Sequence, residues 1–297
     1  FTEVFALQRR SRKHKFYALR MVMISLVLHT LTFVSPQSSK HAGLSVLVTG
    51  ASGRTGKLLY AYLKADPRVR EVRALVYGSG AGTPEEREKA AAALNCSACD
   101  SSEGIFYGDV TLPSSLPAAF HGMDTVAITT AVGASGFRND TLTKAVEFVG
   151  VENQAAAIVA GASNVSAKHI VLCSAMGTGV SPFRPQPSHG PPAFLKDIMF
   201  WKLNAEAFLG ASGIPSSIVK PCGLDATYGR GGKELLVGHD DKLPRDGMIS
   251  REDTAAVMLE AVASRAVGLR FDLCVGNGAP TTDLAKLLNN ARYKWGK

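Results

Sequence analysis

The chain has 297 residues, of which 46% are hydrophobic and 20% charged, and its net charge is +8. This length suggests one large domain or two small ones, and the apolar content excludes global disorder. The glycines and prolines follow no period, which excludes a collagen-like or repeat architecture. Five cysteines are sparse and odd in number, which argues against a disulfide scaffold. The composition is that of a globular α/β protein.

The positive charge is concentrated at the N-terminus. Residues 1–42 hold seven of the 33 Lys and Arg residues but one of the 25 acidic residues, so residues 43–297 hold 26 basic and 24 acidic side chains. A nearly neutral body predicts no broad phosphate-binding surface, and we therefore expect no nucleic-acid partner.

Residues 1–42 have the pattern of a targeting leader. A basic stretch precedes an apolar run that starts at Met21 and is short for a transmembrane helix, a combination typical of a signal peptide. The next segment, Phe33-Val34-Ser35-Pro36, resembles the Phe-Val-Ala-Pro motif of bipartite plastid pre-sequences in algae with complex plastids. We expect delivery to a plastid, with secretion or membrane contact through this leader as the alternatives, and one folded domain over residues 43–297.

A strand, a glycine-rich turn and a helix follow one another from residue 45. The apolar run Ser45–Thr49 predicts a buried parallel strand, and a helical pattern begins at Lys57. In such a turn the first glycine permits a tight bend, the second lets backbone N–H groups approach a pyrophosphate, and the third lets helix and strand pack closely. The helix N-terminus adds positive potential. The sequence therefore predicts a dinucleotide-binding turn formed by Gly50, Ala51, Ser52, Gly53, Arg54, Thr55 and Gly56.

Strand and helix patterns alternate along the rest of the chain. This alternation predicts a doubly wound parallel α/β sheet with a small C-terminal substrate lobe from about residue 222. Ligands of such sheets bind beyond the carboxyl ends of the strands. Further strands are predicted at 72–77, 104–107, 124–129, 169–173, 216–220 and 271–275, and helices at 83–94, 116–120, 139–160, 192–211, 252–263 and 282–291.

The end of the second strand favours NADP over NAD. An acid there usually holds the ribose 2′-hydroxyl of NAD, but the position offers Tyr77, Gly78 and Ser79. Arg54, inside the glycine turn, carries a guanidinium suited to a 2′-phosphate, although it could also be a solvated turn residue. We expect Ser79 and Asp109 on the adenosine side; for Asp109 a plain turn-forming role is the alternative.

The glycine turn and several later segments together resemble a known family. Residues 46–56 look like the opening of the atypical short-chain dehydrogenases of the NmrA-like type, and the resemblance extends over about residues 44–295. It implies a single Rossmann domain similar to the plastid-type NADP-binding proteins of plants and algae. The other segments that carry it are Gly108–Val110, Lys168–Gly177, Trp201–Glu206, Gly213–Leu224, Gly231–Leu243 and Ile249–Asp253.

The catalytic residues of the family are only partly present. The resemblance implies a Tyr-x-x-x-Lys helix and a serine after the fifth strand; Lys202 matches the lysine, and Ser174 matches the serine. The tyrosine position holds Ile198, which has no ionisable proton to exchange with a carbonyl. Tyr228 and His189 are other donors, but both lie in predicted loops and we expect no catalytic role for either.

Two functions remain open from the sequence. The first is an NADP-dependent oxidoreductase that transfers hydride to a quinone, flavin or pigment, since such acceptors can take their proton from water. Lys202 would hold the nicotinamide ribose, Thr129 would open the segment beside the nicotinamide, and residues 182–192 would form a substrate lid or a plain surface loop. The second is a non-catalytic NADP-binding redox sensor or assembly protein with a protein partner, which the missing tyrosine favours.

Cys96 and Cys99 are separated by two residues. This spacing occurs in redox centres and in half of a zinc site, but no second pair of that spacing follows. We expect a passive loop, with a reversible disulfide as the alternative, and predict no metal site.

Overall fold

The computed structural model describes residues 43–133, 136, 139–179, 196–244 and 247–293. The strands are β1 (Leu44–Thr49), β2 (Val69–Tyr77), β3 (Ile105–Gly108), β4 (Thr125–Ile128), β5 (His169–Cys173), β6 (Ser216–Pro221), β7 (Gly223–Asp225), β8 (Leu235–Gly238), β9 (Met248–Ser250) and β10 (Leu269–Val275). The helices are α1 (Gly56–Ala65), α2 (Pro84–Leu94), α3 (Pro117–Phe120), α4 (Asp140–Lys144), α5 (Gly150–Val159), α6 (Lys196–Ala211), α7 (Arg251–Ala263) and α8 (Leu284–Asn290). A π-helical turn, Ala145–Val149, joins α4 to α5.

Eight strands form one sheet in the order β3-β2-β1-β4-β5-β6-β10-β8. All neighbours are parallel except β8, which pairs antiparallel with β10 at the edge. The strand order reverses at β1, where Val48 is paired with Ala74 of β2 on one side and with Ala127 of β4 on the other. The predicted doubly wound α/β sheet is therefore confirmed, and its switch point lies beside the glycine turn.

The alternating side chains of β1 serve two cores. Val46 and Val48 belong to the apolar cluster that includes Leu59 of α1, whereas Leu47 belongs to the cluster that includes Leu116 and Ile158 on the opposite face. Both faces of the sheet are thus covered by helices, which explains why the central strands are continuous apolar runs rather than alternating ones.

The segment after residue 222 contains three short strands that the sequence pattern did not predict. β8 adds the antiparallel edge to the main sheet, while β7 and β9 pair with each other in a separate two-stranded parallel sheet. Runs of three or four residues are too short to show a periodicity.

Helix boundaries agree closely with local chemistry. The predicted helix at 83–94 begins with a capping box, in which Thr83 Oγ1 accepts from the Glu86 N–H at 3.2 Å and Glu86 accepts from the Thr83 N–H at 2.8 Å. The predicted helix at 139–160 is interrupted by the π turn.

The predicted lid at 182–192 and His189 lie outside the described residues. In the described part of the chain, none of the helices combines the length and the apolar character needed to cross a bilayer.

Candidate cofactor site

The glycine turn forms a tight cradle at the carboxyl end of β1. Gly50 has a φ of +68°, and a Cβ there would lie 2.8 Å from the Thr130 nitrogen. A Cβ at Gly56 would collide with the Gly50 carbonyl oxygen and lie 2.6 Å from Thr129 Oγ1. Only glycine satisfies both constraints, so the turn requires these residues for the close approach of backbone to backbone.

The predicted cofactor residue Thr129 locks this turn. Its hydroxyl donates to the Thr49 carbonyl oxygen at 2.7 Å, and the Gly50 carbonyl oxygen lies 3.3 Å away. Its contact is therefore with the turn itself, and it connects the turn to the end of β4.

The start of α1 is open to an anion. Thr55 occupies the N-cap position and makes no side-chain cap hydrogen bond, whereas α2, α4, α7 and α8 each begin with a side-chain cap. Uncapped N–H groups at a helix start, together with the helix dipole, attract negative charge. The cradle and the uncapped helix fit the pyrophosphate of a dinucleotide.

Two arginines lie beside the turn. Helices α1 and α7 run side by side in the same direction, since Arg68, just after α1, pairs at 3.0 Å with Glu260 near the end of α7. At the opposite ends, burial lowers the pKa of Arg251, the first residue of α7, and the positive charge of Arg54 lowers it further. Neither Arg54 nor Arg251 has a carboxylate within ion-pair distance among the described residues. The Asp225 carboxylate offsets part of the shift at Arg251 without forming an ion pair, and the two adjacent positive charges favour a bound phosphate.

The residues predicted to contact the adenosine lie at the ends of β2 and β3. Tyr77 is paired with Gly108, and its side chain is 77% exposed. Ser79 follows in a bend, where its carbonyl oxygen accepts from the Gly82 N–H at 3.0 Å. The Glu86 carboxylate lies against Gly78, but it serves as the acceptor of the α2 capping box.

Asp109 has local partners. One carboxylate oxygen accepts from both the backbone N–H and the hydroxyl of Thr111, each at 2.8 Å, and the Asp109 N–H donates to Ser115 Oγ at 3.0 Å. These bonds are those of a turn-forming aspartate. The second carboxylate oxygen makes no hydrogen bond within the described residues, and the adenosine role stays a prediction.

Lys202 is held by a residue that the sequence analysis missed. Its Nζ lies 2.8 Å from a carboxylate oxygen of Glu147, and the two side chains are 13% and 2% exposed. Burial alone would lower the pKa of Lys202, but the Glu147 carboxylate outweighs it and the pKa is raised above its usual value. Lys202 is therefore a fixed positive charge at physiological pH. Ile198, one turn earlier on α6, is buried.

Ser174 lies at the end of β5 as predicted, but its hydroxyl is engaged. It donates a short hydrogen bond to Glu206, which also accepts from the Thr178 hydroxyl at 2.9 Å and pairs with Arg270 at 2.6 Å. Glu206 is buried, so this network fixes Ser174 in place. Burial also raises the pKa of the neighbouring thiol of Cys173 to about 11, so the thiol is neutral at physiological pH.

Tyr228 has a structural environment. Its hydroxyl donates to the Met248 carbonyl oxygen at 3.0 Å and accepts from the Ser250 N–H at 2.8 Å. Burial raises its pKa. These contacts tie the loop after β7 to β9.

The structure pairs four of the five cysteines. Cys96 bonds to Cys99, and Cys222, the residue after β6, bonds to Cys274 of the neighbouring strand β10. The sequence analysis expected a passive loop at Cys96 and Cys99 and offered a disulfide as the alternative, and the structure has the disulfide. The bond between Cys222 and Cys274 was not predicted, because these residues are 52 positions apart. The Glu103 carboxylate lies near the first pair but accepts from the N–H groups of Ser97 and Cys99.

Sequence signals for the missed residues differ. Arg251 lies in the Ile249–Asp253 segment that carries the family resemblance, but the sequence assigns it no role because it is far from the glycine turn in the chain. Glu147 stands in a helical pattern with no motif around it, and only the fold brings it to Lys202.

The chain matches the family described as NAD(P)H-binding over residues 50–265. Two curated relatives cover most of it. An uncharacterized chloroplastic protein of Arabidopsis thaliana is 32% identical over 85% of this chain and 77% of its own length. Sanguinarine reductase of Eschscholzia californica is 30% identical over 83% of this chain and 95% of its own length.

Solved structures show the same fold at lower identity. A Bacillus halodurans protein assigned to the NAD-dependent epimerases/dehydratases aligns over 84% of this chain and 100% of its own, with a TM-score of 0.63 and 24% identity. An anaerobilin reductase of Escherichia coli O157:H7 aligns over 80% of this chain and 100% of its own, with a TM-score of 0.55 and 18% identity.

Proposed function

Because the chain belongs to the NAD(P)H-binding family, we propose that it is an NADPH-dependent oxidoreductase that reduces a small conjugated acceptor such as a quinone, a flavin or a pigment. The observation that carries the proposal is the glycine cradle, which opens onto the uncapped start of α1 beside two arginines without ion-pair partners. The bound NADPH would supply a hydride.

The preference for NADPH rests on charge. Arg54 and Arg251 would share the additional phosphate of NADP, and the Glu86 carboxylate, which lies against Gly78 after β2, is engaged in a capping box. NADH lacks that phosphate and would leave the two guanidiniums unpaired.

The acceptor class follows from the residues on α6. Lys202 would orient the nicotinamide ribose through its ammonium, but Ile198 offers no proton for a carbonyl oxygen. The Ser174 hydroxyl donates its hydrogen bond to Glu206, so it has no hydrogen to offer to a carbonyl oxygen of the acceptor. An acceptor that takes its proton from water suits this arrangement. The name of the Eschscholzia relative says that it reduces sanguinarine, which supports a reductase.

A second candidate is a non-catalytic NADP-binding sensor that reports to a protein partner. Ile198 in the tyrosine position favours it, because such a protein needs the cofactor cradle without an acid. For either function we propose a plastid location, which the N-terminal leader pattern and the chloroplastic name of the Arabidopsis relative support.

Calorimetric titration with NADPH and with NADH tests the cofactor. We expect clear binding of NADPH and much weaker binding of NADH. Loss of the NADPH absorbance with a panel of quinones and flavins then separates the two functions, since turnover supports the reductase and binding without turnover across the panel supports the sensor. Binding of neither nucleotide would contradict both.

A further inference from the structure

A buried carboxylate joins two segments that meet beside the glycine cradle. Glu147 is 3% exposed, and its two oxygens have different partners. One lies 2.8 Å from Lys202 Nζ on α6, and the other accepts from the backbone N–H of Val132, beyond β4, at 2.7 Å. The carboxylate therefore fixes α6 relative to the chain that follows Thr129.

The backbone around Glu147 is unusual. Glu147 stands in the π-helical turn between α4 and α5, and such single turns recur at functional sites because they redirect one side chain. The next residue, Phe148, stacks on Trp201 with 6.0 Å between ring centroids, so a second contact beside the ion pair holds the turn against α6.

The ion pair leaves the lysine with donors to spare. An ammonium has three N–H groups, and Glu147 is the one hydrogen-bonding partner of Lys202 in the described part of the chain. The side chain of Lys202 is 13% exposed, whereas that of Glu147 is 2% exposed. The Glu147 carboxylate accepts from Lys202 and from the Val132 N–H, which compensates it for the loss of water. The lysine ammonium held by it keeps its two other N–H groups for a ligand.

We propose that Glu147 is a positioning residue of the nicotinamide-ribose site, which aims the Lys202 ammonium and holds the post-β4 segment against it. The inference rests on the proposed function. Ile198 offers no hydroxyl to the lysine, and the group that holds the ammonium comes from the π turn instead.

Removing the Glu147 charge changes which groups determine the pKa of Lys202. The charged and titratable groups that face Lys202 are Glu147 from the π turn, Cys173 from β5 and Glu206 from α6 itself. Cys173 stays neutral, and Glu206 is paired with Arg270. Without Glu147, burial dominates and lowers the Lys202 pKa.

The test is NADPH affinity by calorimetry on the full chain from about pH 7 to about pH 9, above the titration of the 2′-phosphate near pH 6. We expect the wild type to be flat across this range. Glu147→Gln should bind about 10-fold more weakly at pH 7 and lose more affinity as the pH rises. Glu147→Asp should recover part of the loss. Lys202→Met should be weak but flat.

A double-mutant cycle shows whether Glu147 acts through Lys202. If it does, adding Glu147→Gln to Lys202→Met costs little further affinity. His169→Gln, a buried change at the amino end of β5 and therefore away from the carboxyl ends of the strands, is the matched control and should leave affinity unchanged. Wild-type affinity in Glu147→Gln at every pH, or additive losses in the cycle, would overturn the positioning role while leaving NADPH binding in place. A wild type that binds no NADPH would instead overturn the proposed function, and the positioning role with it.

Discussion

Lys220 lies entirely inside the protein, with its Nζ 2.8 Å from a carboxylate oxygen of Asp241. Asp272 of β10 lies 3.1 Å from the same nitrogen. Asp241 also accepts from the N–H groups of Gly177 and Gly179, each at 2.6 Å. The pair thus ties β6 and the turn after β8 to the loop that follows Ser174. It anchors the backbone that follows Ser174 at Gly177 and Gly179.

Lys220→Met should therefore destabilise the protein strongly. It would leave two buried carboxylates facing each other, and breaking such a pair costs about 3–5 kcal/mol of unfolding free energy. Urea unfolding measures this cost, with Lys89→Met on the exposed face of α2 as a control that should change little. A Lys220→Met protein as stable as the wild type would show that the cluster contributes no net stability.

Arg54→Ala should weaken NADPH binding about 10- to 100-fold and leave NADH binding nearly unchanged, because the variant loses a charge-assisted hydrogen bond to the phosphate that NADH lacks. Arg251→Ala should act in the same direction. Calorimetric dissociation constants for both nucleotides measure the effect. Arg68→Ala, whose guanidinium pairs with Asp66 and Glu260 after the end of α1, is the control. Equal losses for NADPH and NADH in Arg54→Ala would place the residue on the shared pyrophosphate instead.

Gly56→Ala should unfold at lower temperature and lose cofactor binding. The added methyl group would collide with the Gly50 carbonyl oxygen, and neither backbone segment can move freely, so we expect a loss of about 3 kcal/mol. The matched control is Gly210→Ala on α6, where a Cβ meets nothing within 4 Å and alanine should stabilise the helix by about 0.5 kcal/mol. Thermal unfolding followed by circular dichroism measures both, and a Gly56→Ala protein that binds NADPH normally would contradict the cradle.

Acid should destabilise the protein through His169. Burial, with a smaller contribution from Arg265, lowers its pKa from 6.5 to about 4. As the pH falls, the unfolded chain therefore binds a proton at His169 before the folded protein does. The stability that comes from keeping His169 neutral is complete above about pH 6.5 and is lost as the pH falls towards 4. The slope is about 1.4 kcal/mol per pH unit in that window.

His169→Gln isolates this contribution. Glutamine can keep a hydrogen bond to Ser217, whose hydroxyl lies 3.0 Å from the histidine Nε2, but it has no proton to gain. The unfolding free energy of the variant should fall less steeply between about pH 6.5 and pH 4. Parallel profiles for wild type and variant would show that another group is responsible.

The doubly wound class of the sheet and the glycine turn followed from local patterns. Apolar runs such as Ser45–Thr49 predicted buried strands because both faces of a parallel sheet are covered, and the glycine spacing predicted the turn because close backbone contact excludes side chains. His169–Cys173 was predicted with the bounds it has. These features depend on residues near one another in the chain.

Only the tertiary structure decided which partners the charged and sulfur-containing side chains have. Glu147 meets Lys202 across 55 positions, Lys220 meets Asp272 across 52, and Cys222 meets Cys274 across 52. A helical or strand period reports which face of an element is buried, but it carries no information on which distant group lies opposite. The sequence alone therefore determined the fold class and the place of the glycine turn, while the buried ion pairs that orient Lys202 and anchor the loop after Ser174 became visible only when the fold brought residues of remote elements together.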